Sequence, residues 1–548
     1  MQASSAATRW PVSQSVSRHR LSWFQIALVL IGGLAHAASM GWPLSLHVSA
    51  LGLRPGLPVW WLQLLAMGLL ASVLGRCLHW RPAALAGWLF ATAWLAGTFW
   101  WTFIALHTYG GLPAILAVIA VLALASLLAL YYAAICGLFT ALAPVNRALS
   151  AIIFASFWLM AELARGLWLT GFGWGAAGYA HVDGPLAGFA PWVGMYGLCA
   201  VSAWLAMTLA QWVGPASRTC SWRARALGLS VVVLVLSLPA VYRMVQPEHS
   251  RSTGTLAVTL LQGNIPQDEK FEAGTGVPQA LRWYAEQLQK SHTPLVIAPE
   301  TAIPLLPQQL PPDYWDALQR RFASGQQAAL IGIPLGNSSE GYTNSVVGLQ
   351  PGQAPWRYDK HHLVPFGEFI PPLFKWFTEM MNIPLGDFNR GPLRQAPFEW
   401  QGQRLAPNIC YEDLFGEELG LLFIDPAKDP TIFVNISNLA WYGTSLAMDQ
   451  HLQIARMRAQ EFERPFLLAT NTGVTAIVNH RGQVVSTLER DTRAVLIGAV
   501  EGRTGVTPYA WWVSRVGLWP FWLLGLGLVG LAAANRLRKP QAASGRPC

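Results

Sequence analysis

Long apolar runs dominate the first half of the chain and return once near its end. A helix needs roughly 20 apolar residues to cross a bilayer, fewer or more with tilt. Such runs cover 22–40, 59–76, 84–106, 113–141, 149–168, 187–213 and 226–245, and an eighth covers 512–534. No small-residue cleavage site follows the first run, which is therefore expected to remain as a span. Between the seventh and eighth runs the pattern changes. Short β-branched or apolar segments recur at 256–261, 295–298, 329–333, 345–349, 405–409, 431–435, 466–470 and 475–479. Helical periodicity separates some of them, at 278–290 and most clearly at 447–463. The pattern predicts a polytopic α-helical membrane domain of about eight spans and one water-facing α/β domain. The expected division is 1–245 with seven transmembrane helices, 246–508 as the α/β domain, and 509–548 as the last helix and tail.

Positive charge along the chain adds an orientation. Arg9, Arg18 and Arg20 precede the first run, Arg76 and Arg81 lie between the second and third, and Arg147 between the fourth and fifth. Arg218, Arg223 and Arg225 lie between the sixth and seventh, and Arg536, Arg538 and Lys539 follow the eighth. The alternate connections carry only Arg54, with Arg165 at the end of the fifth run. The positive-inside rule then places both termini in the cytoplasm and 246–508 on the outer, periplasmic side of a bacterial cytoplasmic membrane.

Composition agrees with this division. The chain is 53% hydrophobic and 12% charged, with a mean hydropathy of +0.34, where soluble domains carry about a quarter charged residues. Its 27 tryptophans suit the headgroup level of a bilayer. A net charge of +9 does not point to nucleic acid, because the arginines sit between apolar runs and form no basic stripe with interleaved aromatics. Inside the runs, Glu162 and Arg165 leave two readings open, a lipid-headgroup or substrate contact and a pair near the membrane surface.

Of six cysteines, only Cys410 falls in the α/β stretch, while Cys77, Cys136, Cys199, Cys220 and Cys548 lie in or beside apolar runs or on the tail. No disulfide framework is therefore expected in that domain. No cluster of Cys and His has metal-ligand spacing, so no metal and no cofactor is expected.

Three segments place a reactive side chain just after a strand, where a rigid scaffold presents it at the sheet rim. Glu300 closes LVIAPE, Lys360 and Glu368 lie in YDKHHLVPFGEF, and Cys410 closes LAPNIC with Glu412 behind it. Singly, Glu300 reads equally as a cap, Lys360 as a solvated loop lysine and Cys410 as a small buried hydrophobe. Together they supply a thiol nucleophile, a carboxylate to take its proton and an ammonium to face an oxyanion.

The Glu–Lys–Cys order with these flanks resembles the nitrilase (carbon–nitrogen hydrolase) superfamily. Its place between the seventh and eighth apolar runs is similar to the apolipoprotein N-acyltransferase family. The resemblance rests on LQGNIPQ (261–267), APET (298–301), YDKHHLVPFGEFIP (358–371), CYED (410–413), the segment 438–465 and TNTG (470–473). RGLWLTGFGW (165–174) and DGPLAGFAPWVGMYG (183–197) carry it into the apolar half. It implies an αββα sandwich in which Glu300 is the general base, Lys360 the oxyanion-stabilising residue and Cys410 the nucleophile. It further implies that Glu368 supports the site, and that Tyr411 and Glu412 shape it from beside the nucleophile. Leu439 and Phe271 depart from the pattern, where Asp and Trp are usual.

The implied reaction is ping-pong transfer of a fatty acyl chain from a phospholipid, through a Cys410 thioester, to the α-amine of an S-diacylglyceryl-cysteine on a lipoprotein. The enzyme is expected to act as a monomer. The apolar stretch 370–388, with Trp376 and Phe377, is expected to form an arm that admits lipid. Two rivals stay open on sequence: a membrane-tethered amidase or nitrilase acting on a small substrate, and an inactive lipoprotein-binding scaffold.

Overall fold

The computed structural model describes residues 20–144, 146–213, 222–245, 248–370 and 388–538. Its first half is helical: α1 (Trp23–Ser39), α2 (Trp60–Leu74), α3 (Trp80–Thr98), α4 (Ala114–Leu142), α5 (Arg147–Leu167), α6 (Ala190–Val213) and α7 (Trp222–Val245). Small residues let these helices approach closely. A Cβ on Gly87 of α3 would lie 2.6 Å from the Tyr132 carbonyl of α4, and such approach is what packs helices where burial of apolar surface drives little. The outer face of α4 leaves Ile115, Ile119, Leu122, Leu127 and Leu130 exposed. An apolar helix uncovered by protein needs an apolar solvent.

Each predicted span coincides with a helical segment, but the count of eight is not reached by length and apolarity. Among the described residues, four helices are long and apolar enough to cross a membrane, or up to six if each bent pair is one span. α1 and α2 have only 17 and 15 residues. The expected span 84–106 bends by 64° between Thr98 and Thr102. The expected span 512–534 is two helices, Pro508–Val516 and Trp519–Arg538, at 85°, separated at Gly517, whose φ of +55° ends the first helix.

Between them lies a two-layer sandwich. One sheet has six strands in the order β12 (Ala494–Thr504), β1 (Arg251–Gln262), β2 (Leu295–Ile297), β3 (Ala328–Asn337), β4 (Gly341–Leu349) and β5 (Trp356–Asp359). The other, also of six, runs β11 (Val484–Thr487), β10 (Ala476–Val478), β9 (Phe466–Thr470), β8 (Ile432–Ser437), β7 (Gln403–Ile409) and β6 (Phe398–Trp400). β1, β2 and β3 are parallel, as are β7, β8 and β9. Leu256, Val258, Leu260 and Ile297 meet Leu405, Ile409, Val434 and Leu467 in the core between the sheets. Helices Gly276–Lys290 and Tyr314–Ala323 cover the first sheet.

Helix Ala447–Phe462 covers the second sheet, and nearly all its residues are buried, including Arg456, Arg458 and Glu461. The reason is that its far side is covered by the N-terminal half. Gln450 Oε1 accepts from the indole N–H groups of Trp101 (3.0 Å) and Trp174 (2.7 Å), and its amide donates to the Thr98 carbonyl. Glu461 accepts from the Met195 amide at 2.6 Å, beside the break in α6 at Gly194. Glu162 and Arg165 form a buried ion pair at 2.7 Å, and the guanidinium also donates to Tyr132 and to the Phe172 and Trp174 carbonyls. The pair is thus engaged inside the protein, where it pins the 172–174 segment.

Candidate active site

The C-terminal ends of β2, β5, β7 and β8 converge on one rim of the sandwich. A rigid sheet of this kind positions the side chains that its rim presents. Glu300 stands three residues past β2, where Thr301 adopts a left-handed φ of +46°. Gly332 of β3 permits the approach, because a Cβ there would lie 2.2 Å from the Pro299 carbonyl. Glu300 Oε1 accepts from Asn344 at 2.7 Å and Oε2 from the Asn438 amide at 2.9 Å.

Lys360 follows β5 and is fully buried. Its Nζ donates to Glu368 Oε1 at 2.9 Å and lies 3.5 Å from Glu300 Oε1. Burial alone would lower its pKa, but Glu368 and Glu300 outweigh that and hold the ammonium proton above its ordinary value. Glu368 is fixed in turn by Asn344 at 2.8 Å and by the Val364 amide at 2.9 Å.

Cys410 closes β7 with a left-handed φ of +52°. A non-glycine residue in that region is strained and persists only when its surroundings hold it. Here its carbonyl is held by Asn435 Nδ2 at 2.9 Å and lies 3.4 Å from His451 Nε2. The thiol packs against an apolar wall of Leu439, Met448, Val474, Leu452 and Tyr442. Burial and the negative field of Glu300 push its pKa up, with Lys360 acting the other way. The balance favours the protonated thiol.

Glu412 is saturated. Its Oε2 accepts from the Ile409 amide (2.7 Å) and the Tyr358 hydroxyl (2.8 Å), and its Oε1 from the His361 (2.7 Å) and His362 (3.0 Å) amides. Those bonds tie the Cys410 turn to the Lys360 loop, which is a supporting position. Tyr411 turns away from the rim toward the N-terminal half, donating to the Gly171 carbonyl at 2.7 Å and meeting the rings of His362 and Phe415. Trp376 and Phe377 lie outside the described residues, as does nearly all of 370–388. Of the two departures, Leu439 is buried in the wall beside Cys410, and Phe271 is partly exposed.

Two residues of the rim escape a reading by motif. Asn344 joins Glu300 to Glu368 through one amide nitrogen. A signal for it exists, since Asn is out of place inside an apolar strand. Lys270 donates from Nζ to the Glu300 carbonyl at 3.1 Å and is as buried as Lys360. It sits in a polar loop, and its place between LQGNIPQ and Phe271 is the one signal for it.

Comparison with known proteins gives the chain relatives along most of its length. Residues 46–208 match the family described as apolipoprotein N-acyltransferase N-terminal domain, and residues 257–509 match carbon–nitrogen hydrolase. The apolipoprotein N-acyltransferase of Verminephrobacter eiseniae is 55% identical over 519 residues, covering 91% of this chain and 94% of that one. That of Ralstonia nicotianae is 43% identical, covering 88% and 91%. Among solved structures, a CN-hydrolase superfamily protein of Xanthomonas campestris aligns over 54% of this chain and all of its own, at 18% identity and a TM-score of 0.36.

Proposed function

Because the chain belongs to the apolipoprotein N-acyltransferase family, we propose that Cys410, Glu300 and Lys360 carry out the transfer of a fatty acyl chain from a phospholipid to the N-terminus of a lipoprotein. In the first half-reaction Glu300 takes the thiol proton as the sulfur attacks the ester carbonyl carbon. The tetrahedral oxyanion faces the Lys360 ammonium. As the ester C–O bond breaks, Glu300 returns the proton to the leaving glycerol oxygen, and lysophospholipid departs from a Cys410 thioester. In the second half, the neutral α-amine of the S-diacylglyceryl-cysteine attacks the thioester. Glu300 takes a proton from the nitrogen and delivers one to the departing sulfur, leaving an amide and free Cys410. The energy resides in the ester and thioester, so the transfer needs no nucleotide.

The observation that carries this assignment is Lys360, a buried ammonium between Glu368 and Glu300 in the field of Cys410. Preorganised charge of this kind is where acyl transfer gains most. The Leu439, Met448 and Val474 wall suits an acyl chain better than a small polar amide. Glu368 supports Lys360, and Glu412 supports both loops.

The same proposal includes a setting. The eight apolar runs cross the bacterial inner membrane, with the bent pairs and the two shorter helices counted among them. The sandwich stands on the periplasmic side and both termini are cytoplasmic, a reading that the basic connections support. The proposed enzyme is a monomer, since one chain supplies Glu300, Lys360 and Cys410.

The test is product analysis with the full-length enzyme, phosphatidylethanolamine vesicles and a synthetic diacylglyceryl lipopeptide. The lipopeptide should gain one acyl chain as an α-amide, and the Cys410→Ala variant should form none. Release of free fatty acid alone, with the lipopeptide unchanged, would replace the transferase by a hydrolase.

A further inference from the structure

We propose that Lys270 is a further positioning residue of the acyl-transfer site, fixing the backbone of Glu300 and facing Cys410 with a second positive charge on which thioester formation depends. This rests on the reading of Cys410 as nucleophile and Glu300 as base.

The argument starts from burial. An ammonium withdrawn from water needs partners, because burial strips it of its solvation. Lys270 is almost completely buried, and the hydrogen bond described for it goes to the Glu300 main-chain carbonyl, 3.1 Å away. The charged groups that face it are Glu300, from the end of β2, and Cys410, from the end of β7. The side chain therefore lies against the backbone of the base and in the field of the nucleophile, and among the described residues it has no ion pair of its own.

The two lysines of the rim differ in what they can do. Lys360 is locked between Glu368 and Glu300, and its charge is already matched by them. With Lys360 alone, the two carboxylates leave the rim net negative, which opposes a thiolate at Cys410. A charged Lys270 offsets part of that excess before sulfur loses its proton. Thiolate formation is favoured by such a neighbouring cation. The hydrogen bond to the Glu300 carbonyl adds a mechanical role, because it holds the backbone at the left-handed Thr301 turn.

Burial lowers the Lys270 pKa to about 8, with Glu300 and Cys410 acting in the opposite direction. Its charge is present below that value and lost above it, so this contribution to the rate falls as pH rises through about 8. Lys360, held upward, keeps its charge across the same range.

The experiment measures the rate of acyl-adduct formation on Cys410 by quenched mass spectrometry, from pH 6 to about 10, with full-length enzyme and phosphatidylethanolamine vesicles. Wild type, Lys270→Met and Lys270→Arg are compared, with thermal unfolding to confirm folding. The expected result is a loss of about tenfold to a hundredfold in Lys270→Met, recovery in Lys270→Arg, and an alkaline decline present in wild type but absent from Lys270→Arg. Wild-type rates in Lys270→Met, or equal losses in both variants, would overturn the proposal. Should Lys270→Met not fold, the pH profiles decide: an identical alkaline decline in wild type and Lys270→Arg overturns it. Absence of any adduct in wild type would instead sink the reading of Cys410 as nucleophile.

Discussion

Asn344 donates from one amide nitrogen to Glu300 at 2.7 Å and to Glu368 at 2.8 Å, so the two carboxylates that flank Lys360 share a single anchor. Two acids this close crowd each other, and the shared donor together with Lys360 holds both in place. Replacing Asn344 by Ala removes the anchor without adding charge, and thioester formation should fall about a hundredfold with little change in apparent donor affinity. Asn344→Asp places a third carboxylate against the pair and should be worse than Ala. Steady-state kinetics on vesicles check both, and an Asp variant more active than the Ala variant would contradict the shared-anchor account.

Glu412 accepts four hydrogen bonds that join the Cys410 turn to the Lys360 loop. In Glu412→Gln, an amide N–H group must face donors that formerly found oxygen. Leaving a buried donor unpaired costs about 1–3 kcal/mol. The variant should unfold at lower temperature and form the thioester about tenfold more slowly. Thermal unfolding and single-turnover mass spectrometry on the same sample measure the two effects. A slow variant with wild-type unfolding would mean that Glu412 touches substrate and does not merely brace the loops.

The resting Cys410 is a protonated thiol, because burial first and Glu300 second push its pKa up. Alkylation by iodoacetamide, read on the Cys410 peptide without donor lipid, should therefore be slow at neutral pH. It should still be rising at about pH 10, above the ordinary thiol range. A plateau near pH 7 would show a preformed thiolate.

Much of this site was legible in the sequence, for identifiable reasons. Glu300, Lys360 and Cys410 each follow a strand, and β2, β7 and β9 stand almost where runs of buried residues predict them. β12 was less visible, since its alternation is diluted by Gly498 and Gly502 and half of it faces outward. The spans were legible as apolar runs, but their bends were not, because a bend depends on packing and not on hydropathy. The buried face of helix Ala447–Phe462 toward Trp101 and Trp174 was hidden for the same reason. The role of Glu412 depends on backbone amides some 50 positions away, at His361 and His362. Lys270 looks like any loop lysine until the fold brings the Glu300 carbonyl to it.

The central claim is that Cys410 holds the acyl chain between donor and acceptor. Its most direct measurement is the mass of the Cys410 peptide after full-length enzyme meets phosphatidylethanolamine vesicles without acceptor. The account predicts one fatty acyl chain on Cys410, released by hydroxylamine as a thioester should be, and discharged by a diacylglyceryl lipopeptide far faster than by water. An unmodified Cys410, an acyl chain on another residue, or discharge that the lipopeptide does not accelerate would contradict it.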